Sequence, residues 1–510
     1  MVHNIDLAAY LFRRLYEAGA RAVHGVPGDY NLTALDYLEP AGLAWIGNCN
    51  ELNAGYAADG YGRIKGIGAL ITTFGIGELS AINAIAGAYA ERSPLVHIVG
   101  TPVQENLMDV STAPAQIDRA IIACVRHKRP VYIQLPADMV DAKVPSAPLS
   151  TALDFALEHN DDQMERAAAN AIVEKIHQSK QPFILVDTGA SRYSIVTEVN
   201  DLVKVKNCDL VLYIKPFKNN VNTYYFKTIP EASKTIRFEE DSLQIGCADG
   251  EHSRWALRPV GLLRRVLAQL ESGALRQYVE YPRQLPNLPA LLASLPRVQK
   301  TDPLLQDTFW KRISEFFEPG DIIMTETGTP STGGRDFVLP RQTTLINSGV
   351  WLSIGYMLGS SQGVALAQRD LVAEDSSRRG RTILFEGDGS FQMTAQELST
   401  IIHKRLDMII FLINNDGYTI ERLVHGKDAI YNDIAPWRYL EAPSCFGAPN
   451  DGSYVTMTAR ASTSGELMEI ISKDDFKYGS GLRMVEIMME RMDAPVILKR
   501  LLESYSASAS

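Results

Sequence analysis

Thr382-Ile383-Leu384-Phe385-Glu386-Gly387-Asp388-Gly389-Ser390 and, further on, Asp407-Met408-Ile409-Ile410-Phe411-Leu412-Ile413-Asn414-Asn415-Asp416-Gly417 decide the fold of this chain. Thr382–Glu386 reads as a strand that runs into a turn, where two glycines let the backbone bend tightly around Asp388. Met393–Arg405 reads as a helix with apolar Leu398, Ile401 and Ile402. A second strand, Asp407–Ile413, then brings Asn414 and Asn415 to the same edge of a parallel sheet, where such sheets hold their ligands. One carboxylate, one amide oxygen and one backbone carbonyl suit Mg²⁺, which takes its remaining ligands from phosphate and water. Gly-Asp-Gly alone would be only a turn. The ordered set of strand, Gly-Asp-Gly-Ser, helix, strand and Asn-Asn points to a diphosphate held through a divalent metal.

The alternation extends in both directions. Ile5–Ala18 reads as an amphipathic helix closed by Gly19. Ala22–Val26, Trp45–Gly47, Ala69–Phe74, Leu95–Gly100 and Val131–Leu135 read as strands, with helices at Asn53–Lys65, Leu79–Glu91 and Ala115–Arg126. This predicts a parallel sheet with helices on both faces. A polar stretch, Pro145–Gln163, reads as a linker. Helix Met164–Ser179 and strand Pro182–Asp187 open a second α/β unit, which ends in the Pro-rich stretch Tyr281–Pro303. Inside it, helix Ile195–Val203 meets strand Asp209–Ile214 through only Lys204–Cys208. The expected architecture is three doubly wound α/β units with parallel sheets, over residues 1–145, 164–280 and 304–510.

The chain has 510 residues, of which 46% are hydrophobic and 22% charged, in keeping with an ordinary globular protein. A net charge of −10 argues against general nucleic-acid binding. No apolar run is long enough to span a bilayer. Met1–Asp6 lacks the basic head and apolar core of a secretory signal. The five cysteines, Cys49, Cys124, Cys208, Cys247 and Cys445, have neither metal-like spacing nor an even count. A cytoplasmic protein with neither nucleic-acid nor membrane partners is expected.

Further strings complete the set: Gly25-Val26-Pro27-Gly28-Asp29-Tyr30-Asn31, Asn48-Cys49-Asn50-Glu51-Leu52-Asn53-Ala54-Gly55-Tyr56, Thr72-Thr73-Phe74-Gly75-Ile76-Gly77-Glu78, Glu326-Thr327-Gly328-Thr329, Ser353-Ile354-Gly355-Tyr356 and Asn415-Asp416-Gly417-Tyr418-Thr419-Ile420-Glu421. Together they resemble the thiamine diphosphate-dependent 2-oxo acid decarboxylases, and most closely the fungal pyruvate decarboxylases, across all three units. The resemblance implies the thiamine diphosphate-binding fold, with a pyrimidine-binding first unit and a diphosphate- and Mg²⁺-binding third unit. It implies a carboxy-lyase that converts a small 2-oxo acid, pyruvate first, to aldehyde and CO₂. The indolepyruvate and phenylpyruvate decarboxylases share most of these strings.

The resemblance also implies roles. Glu51 would bind the cofactor's pyrimidine ring and promote its imino form. Asp29 and Glu421 would handle protons at the reacting carbon. Taken alone, Asp29 reads as a turn former and Glu421 as a solvated helix start. Asp388, Asn415 and the Gly417 carbonyl would hold Mg²⁺. Gly387, Gly389, Ser390 and the amides around Asp416, Gly417, Tyr418, Thr419 and Ile420 would hold the diphosphate. Ile354, beside Ser353, would bend the cofactor, and Thr329 would touch its pyrimidine. The cofactor would lie between the first unit of one subunit and the third of another, in a homodimer or homotetramer. Helix Ala494–Ser504 would cover the site.

The chain departs from that family at several places. The family's adjacent histidines are missing, and Val103–Ser111 stands where a longer segment is expected. His97 and His127 read as structural or exposed. Lys204–Cys208 reads as a second internal deletion. Glu386 stands where an apolar residue is usual, and at the end of a buried strand it would need a partner or solvent. Arg369–Arg381 reads as a long polar surface loop. These departures imply retained affinity for Mg²⁺-thiamine diphosphate with poor turnover of pyruvate, or a non-catalytic paralogue that binds cofactor or partner subunits. A carboligase, marked by a bound flavin, and a nucleotide-binding dehydrogenase, from Gly75-Ile76-Gly77-Glu78-Leu79-Ser80, are the remaining readings. The second has serine for its third glycine and no acidic residue after Leu95–Gly100.

Overall fold

In the computed structural model, residues 3–103, 109–187, 209–219, 223, 226, 229–246, 252–272, 288–500 and 502 are described. Helix Ile195–Val203 and the junction Lys204–Cys208 lie outside them, as does most of Val103–Ser111. Strands β1 (Asn4–Asp6), β2 (Ala22–Gly25), β3 (Ala44–Gly47), β4 (Gly68–Thr73), β5 (Leu95–Thr101), β6 (Val131–Pro136) and β7 (Lys143–Pro145) belong to the first unit. Five of them form one sheet in the order β3-β2-β4-β5-β6 with every pair parallel, while β1 pairs with β7 antiparallel. Residues Leu95–Thr101 are buried throughout, as expected of a strand covered on both faces.

The central unit carries β8 (Pro182–Val186), β9 (Leu210–Ile214), β10 (Thr235–Phe238), β11 (Leu243–Gly246) and β12 (His252–Trp255). Here the expected parallel sheet is corrected. β8, β9 and β10 are parallel, but β10–β11 and β11–β12 are antiparallel. The physical reason lies in loop length. Glu239–Ser242 is too short for a crossover, and Glu239 N–H donates to Ser242 O (2.8 Å) to close a hairpin.

The third sheet runs β14-β13-β15-β16-β18-β17, all parallel, from β13 (Ile322–Thr325), β14 (Thr344–Asn347), β15 (Thr382–Gly387), β16 (Met408–Asn414), β17 (Thr456–Ala461) and β18 (Leu482–Met488). The chain turns to opposite sides of β13 and β15, so a crevice opens beyond their carboxyl ends. The single helix expected over Met393–Arg405 is two: Asp388–Thr394 and Glu397–His403. Leu398 N–H to Ala395 O (3.1 Å) and Ser399 N–H to Gln396 O (2.9 Å) tighten the backbone between them. That break lets Phe391 and the pair Leu398 and Ile401 all enter the same core.

Residues 1–155 and 286–510 form one compact unit, and 156–285 a second. Within the larger unit, helix Glu51–Lys65 crosses helix Tyr356–Glu374 with almost no side chain between them. A methyl group at Gly60 would lie 2.1 Å from Ser360 O, and one at Gly363 would lie 1.8 Å from Ala57 O. Asp59 and Arg63 form a buried ion pair at the crossing (2.9 Å), and Tyr356 donates to Asp59 (2.8 Å). Burial opposes the Asp59 carboxylate, yet Arg63 beside it holds it below its ordinary range.

Glu326 N–H donates to Phe385 O (2.9 Å), so Glu326 and Glu386 step off neighbouring strands side by side. Both are fully buried. Glu326 accepts from Met357 N–H (2.8 Å) and Thr327 N–H (2.6 Å), whereas neither Glu386 oxygen has a partner among the described residues. Burial raises the Glu326 carboxyl to about 7. Burial, and then Glu326 itself, raise Glu386 well above its usual range.

Two expectations follow. Gly363→Ala is expected to lower stability by about 1–3 kcal/mol in denaturant unfolding, because backbone must move to admit the methyl. In the unfolded chain Glu326 loses its proton near pH 4.5, but in the folded chain it keeps it to about 7. The contribution of Glu326 to stability is then full below about pH 4.5 and is lost as pH rises through 7. Glu386→Ile is expected to flatten that loss and to raise the thermal midpoint at pH 8.

Candidate active site

Asp388 follows β15 directly and opens helix Asp388–Thr394, where a carboxylate is favoured by the unpaired amides of the first turn. It is buried. Its Oδ1 accepts from Gly389 N–H (2.8 Å) and its Oδ2 from Gly417 N–H (3.0 Å). Burial dominates and lifts its pKa to about 6, against those two donors. A bare carboxylate in this place is therefore electrostatically incomplete.

Asn415 completes the picture. With one placement of its side-chain amide, the nitrogen donates to Asp388 Oδ1 (3.2 Å) and Gly417 O (3.1 Å), and the oxygen accepts from Thr419 Oγ1 (2.7 Å). With the other, the Asn415 oxygen faces Asp388 Oδ1 (3.2 Å) and Gly417 O (3.1 Å), a grouping of oxygens that would suit a shared hard cation such as Mg²⁺. The alternative orientations differ by whether a cation is there to be shared. The residues fit the metal.

The turn that carries this face is conformationally demanding. Asp416 and Gly417 have φ of 59° and 117°, and a methyl group at Gly417 would lie 2.5 Å from Asn432 O. Tyr418 packs against Gly389, where a methyl would come within 2.6 Å of its ring. Two amides expected to face a diphosphate are engaged within the protein: Gly417 N–H on Asp388, and Tyr418 N–H on Asn432 O (3.0 Å). Ser390 is buried at the helix start, and Gly387 precedes it in extended backbone. Thr419 is buried and Ile420 half-buried. Asn414, unlike Asn415, turns away to donate to Glu486 (2.7 Å).

Glu421 lies exposed on helix Thr419–Val424, whose buried anchor is Arg422, bonded to Asp433 (2.5 Å) and Asn432 O (3.1 Å). Thr329 is buried at the start of helix Thr329–Gly333. Ile354 is 37% exposed, between Leu352 (φ 56°) and Gly355 (φ 83°), both left-handed. Ser353 shares a hydrogen bond with Tyr56 OH (2.7 Å) and accepts from Asn83 (3.1 Å).

On the first sheet, Glu51 is half-buried at the first position of its helix, after the cap Asn50, whose side chain accepts from Asn53 N–H (2.8 Å). A methyl group at Gly77 would lie 3.2 Å from Glu51 Oε1, so Gly77 leaves room for that carboxylate. Asp29 is exposed in the turn after β2, where Asn31 closes the bend by accepting from Gly28 N–H (2.9 Å). His97 is buried against Thr72 (2.9 Å), and burial lowers it to about 4. His127 is exposed. Glu91 was not singled out in the sequence. Its Oε1 accepts from Ser348 Oγ and the amides of Gly349, Val350 and Trp351 (2.7–3.1 Å), tying the loop before Ile354 to the first sheet. A lone glutamate at a helix end carries no local signal of such a contact. Of the expected helix Ala494–Ser504, residues 496–500 are helical, while 501, 503 and 504 lie outside the described residues.

Residues 5–119 match the thiamine pyrophosphate enzyme N-terminal TPP-binding domain, and residues 327–470 the C-terminal TPP-binding domain. The chain is 44% identical to a pyruvate decarboxylase of Aspergillus parasiticus, covering 98% of this chain and 97% of that one. It is 38% identical to a pyruvate decarboxylase of Aspergillus fumigatus (98% and 97%) and 34% identical to pyruvate decarboxylase isozyme 1 of Saccharomyces cerevisiae (96% and 97%). The first alignment runs over 572 positions against 510 residues, so the chain carries gaps relative to that protein. The fold is similar to that of a Rhodococcus jostii thiamine diphosphate-dependent 4-hydroxybenzoylformate decarboxylase, with a TM-score of 0.74 at 15% identity over 95% of this chain and 99% of that one. This chain belongs to the thiamine pyrophosphate enzymes, within the family of the pyruvate decarboxylases.

Proposed function

We propose that this protein catalyses the thiamine diphosphate- and Mg²⁺-dependent, non-oxidative decarboxylation of a small 2-oxo acid, pyruvate first, to aldehyde and CO₂. The observation that carries it is the Asn415 side-chain amide set 3.2 Å from Asp388 Oδ1 and 3.1 Å from Gly417 O, an oxygen-rich pair of contacts that a hard cation would satisfy. When bound, the cofactor supplies a nucleophilic carbon and an electron sink for the pair left by departing CO₂.

The chain's own residues do the rest. Asp388, Asn415 and the Gly417 carbonyl hold the cation, with Gly387, Gly389, Ser390 and the Asp416–Ile420 turn against the diphosphate. Glu51 holds a proton at the pyrimidine ring, and Thr329 and Ser353 orient it. Ile354 projects partly exposed from a loop bent at both ends and fixes the cofactor's shape. Asp29 and Glu421, both exposed, move protons at the substrate carbon. The chain contains no adjacent histidines, so proton transfer there rests on fewer groups and turnover is slow.

The working form is a homodimer or a homotetramer, with Glu51 of one chain serving the clamp of another. Support comes from helix Ile76–Ala90, which contains the Glu51 contact Gly77 and leaves Ile76, Leu79 and Ile82 59–82% exposed along one face. Such an apolar stripe beside a site favours a protein partner. Among the described residues no helix is long and apolar enough to cross a membrane.

A second reading, a paralogue that binds cofactor without turnover, is favoured by the missing histidines. Acetaldehyde production from pyruvate with cofactor and Mg²⁺ tests the first, and saturable cofactor binding without aldehyde would establish the second. Glu51→Gln is expected to lower kcat by about 100-fold or more while cofactor binding persists. Asp388→Ala is expected to abolish Mg²⁺-dependent cofactor binding, read by calorimetry. Because Asp388 takes up a proton near pH 6, the half-saturating Mg²⁺ concentration is expected to rise as pH falls below 6.

A further inference from the structure

The connection that delivers Glu51 is held from outside its own sheet. Between β3 and helix Glu51–Lys65 the chain passes through Asn48, Cys49 and Asn50. Helix Glu397–His403 of the third sheet lies against it. Glu397 is fully buried, and its Oε2 accepts from Asn48 Nδ2 (3.0 Å) and its Oε1 from Cys49 N–H (3.3 Å). Cys49 Sγ donates to Gln396 O (3.3 Å), at the cap of the same helix. Beyond its other end, Lys404 Nζ donates to Trp45 O (2.9 Å) on β3. The grip therefore has one point on the strand and two immediately before the helix.

We propose that Glu397 is a positioning residue for Glu51, acting through the Cys49 amide and the Asn48 side chain. The inference rests on the role given to Glu51 above. A two-residue lever joins the Cys49 amide to Glu51, and Asn50 between them caps the helix. Releasing that amide lets the first turn fray and moves the carboxylate. A displacement of about 1 Å at a reacting group can cost a hundredfold in rate. Glu397 itself stands at the start of the second helix after Asp388, so one helix pair serves both the metal clamp and the Glu51 connection.

Two measurements separate positioning from simple adhesion between sheets. Hydrogen exchange of residues 45–53 reports the grip in the full chain without cofactor. Exchange of the cofactor's thiazolium C2 proton for deuterium, followed by NMR after acid quench, reports whether Glu51 stands where it acts. In Glu397→Ala, amide exchange at 45–53 is expected to rise about tenfold, the loss expected for hydrogen bonds to a charged group. C2 exchange is expected to fall about tenfold or more. Glu397→Gln, which keeps an acceptor for the Cys49 amide, is expected to remain within about threefold of the parent in both.

Unchanged amide exchange in Glu397→Ala overturns the proposal. So does faster amide exchange with unaltered C2 exchange, which would leave Glu397 as adhesion alone. If Glu51→Gln also leaves C2 exchange unaltered, the role of Glu51 fails and the proposal with it. If only Glu397→Ala is silent, the role of Glu51 stands. Should Glu397→Ala not fold, Asn48→Ala removes one of the two donors. It is expected to shift both readouts the same way by about threefold, and no shift overturns the proposal.

Discussion

The crossing of helices Glu51–Lys65 and Tyr356–Glu374 is the contact on which the larger unit depends. Backbone meets backbone at Gly60 and Gly363, so the separation of the first and third sheets is set by peptide groups and not by adjustable side chains. Both helices begin at proposed site residues, one at Glu51 and the other directly after Ile354 and Gly355. Because interiors are close-packed, a rigid crossing fixes both starts at once. The peripheral ties reinforce it: Glu91 on the loop at 348–351, Tyr56 and Asn83 on Ser353, Glu397 on Asn48 and Cys49.

Electrostatics at the edge of the third sheet are arranged with a similar economy. Three acids, Glu326, Glu386 and Asp388, are buried at the ends of two adjacent strands. Between Glu326 and Glu386, like charges in a poorly solvated place disfavour ionising both. Asp388 has two backbone donors and oxygen neighbours that a cation would complete. Glu326 has two backbone donors. Glu386 has none among the described residues, and burial together with the neighbouring Glu326 raises its carboxyl well above the usual range, which favours the protonated form.

Much of the architecture was legible. Continuous apolar runs such as Ile409–Ile413 can only be strands covered on both faces, and their alternation with amphipathic stretches implies parallel sheets. Boundaries moved by a residue or two, since helix ends depend on caps that context can supply. Two misreadings had distinct causes. Leu398, Ile401 and Ile402 gave a continuous helical period that hid the bend at Ala395 and Gln396, because periodicity records which face is apolar and not whether the axis is straight. The central sheet was taken as parallel because Thr235–Phe238 and Leu243–Gly246 are too short for periodicity to report direction. Only the short loop between them does.

What the chain by itself determined is the set of chemical groups and their local geometry: glycines where φ must be positive or a ring must approach, Asp388 at a helix start, Asn415 at a strand end. These follow from neighbours within a few residues, and short-range sterics settle them. Tertiary structure alone decided which distant groups meet. It put Glu397 under the Glu51 connection, Glu91 on the Trp351 loop and Glu386 beside Glu326, pairs that lie far apart along the chain. Such pairings depend on how helices and sheets pack, and no local pattern of residues encodes them.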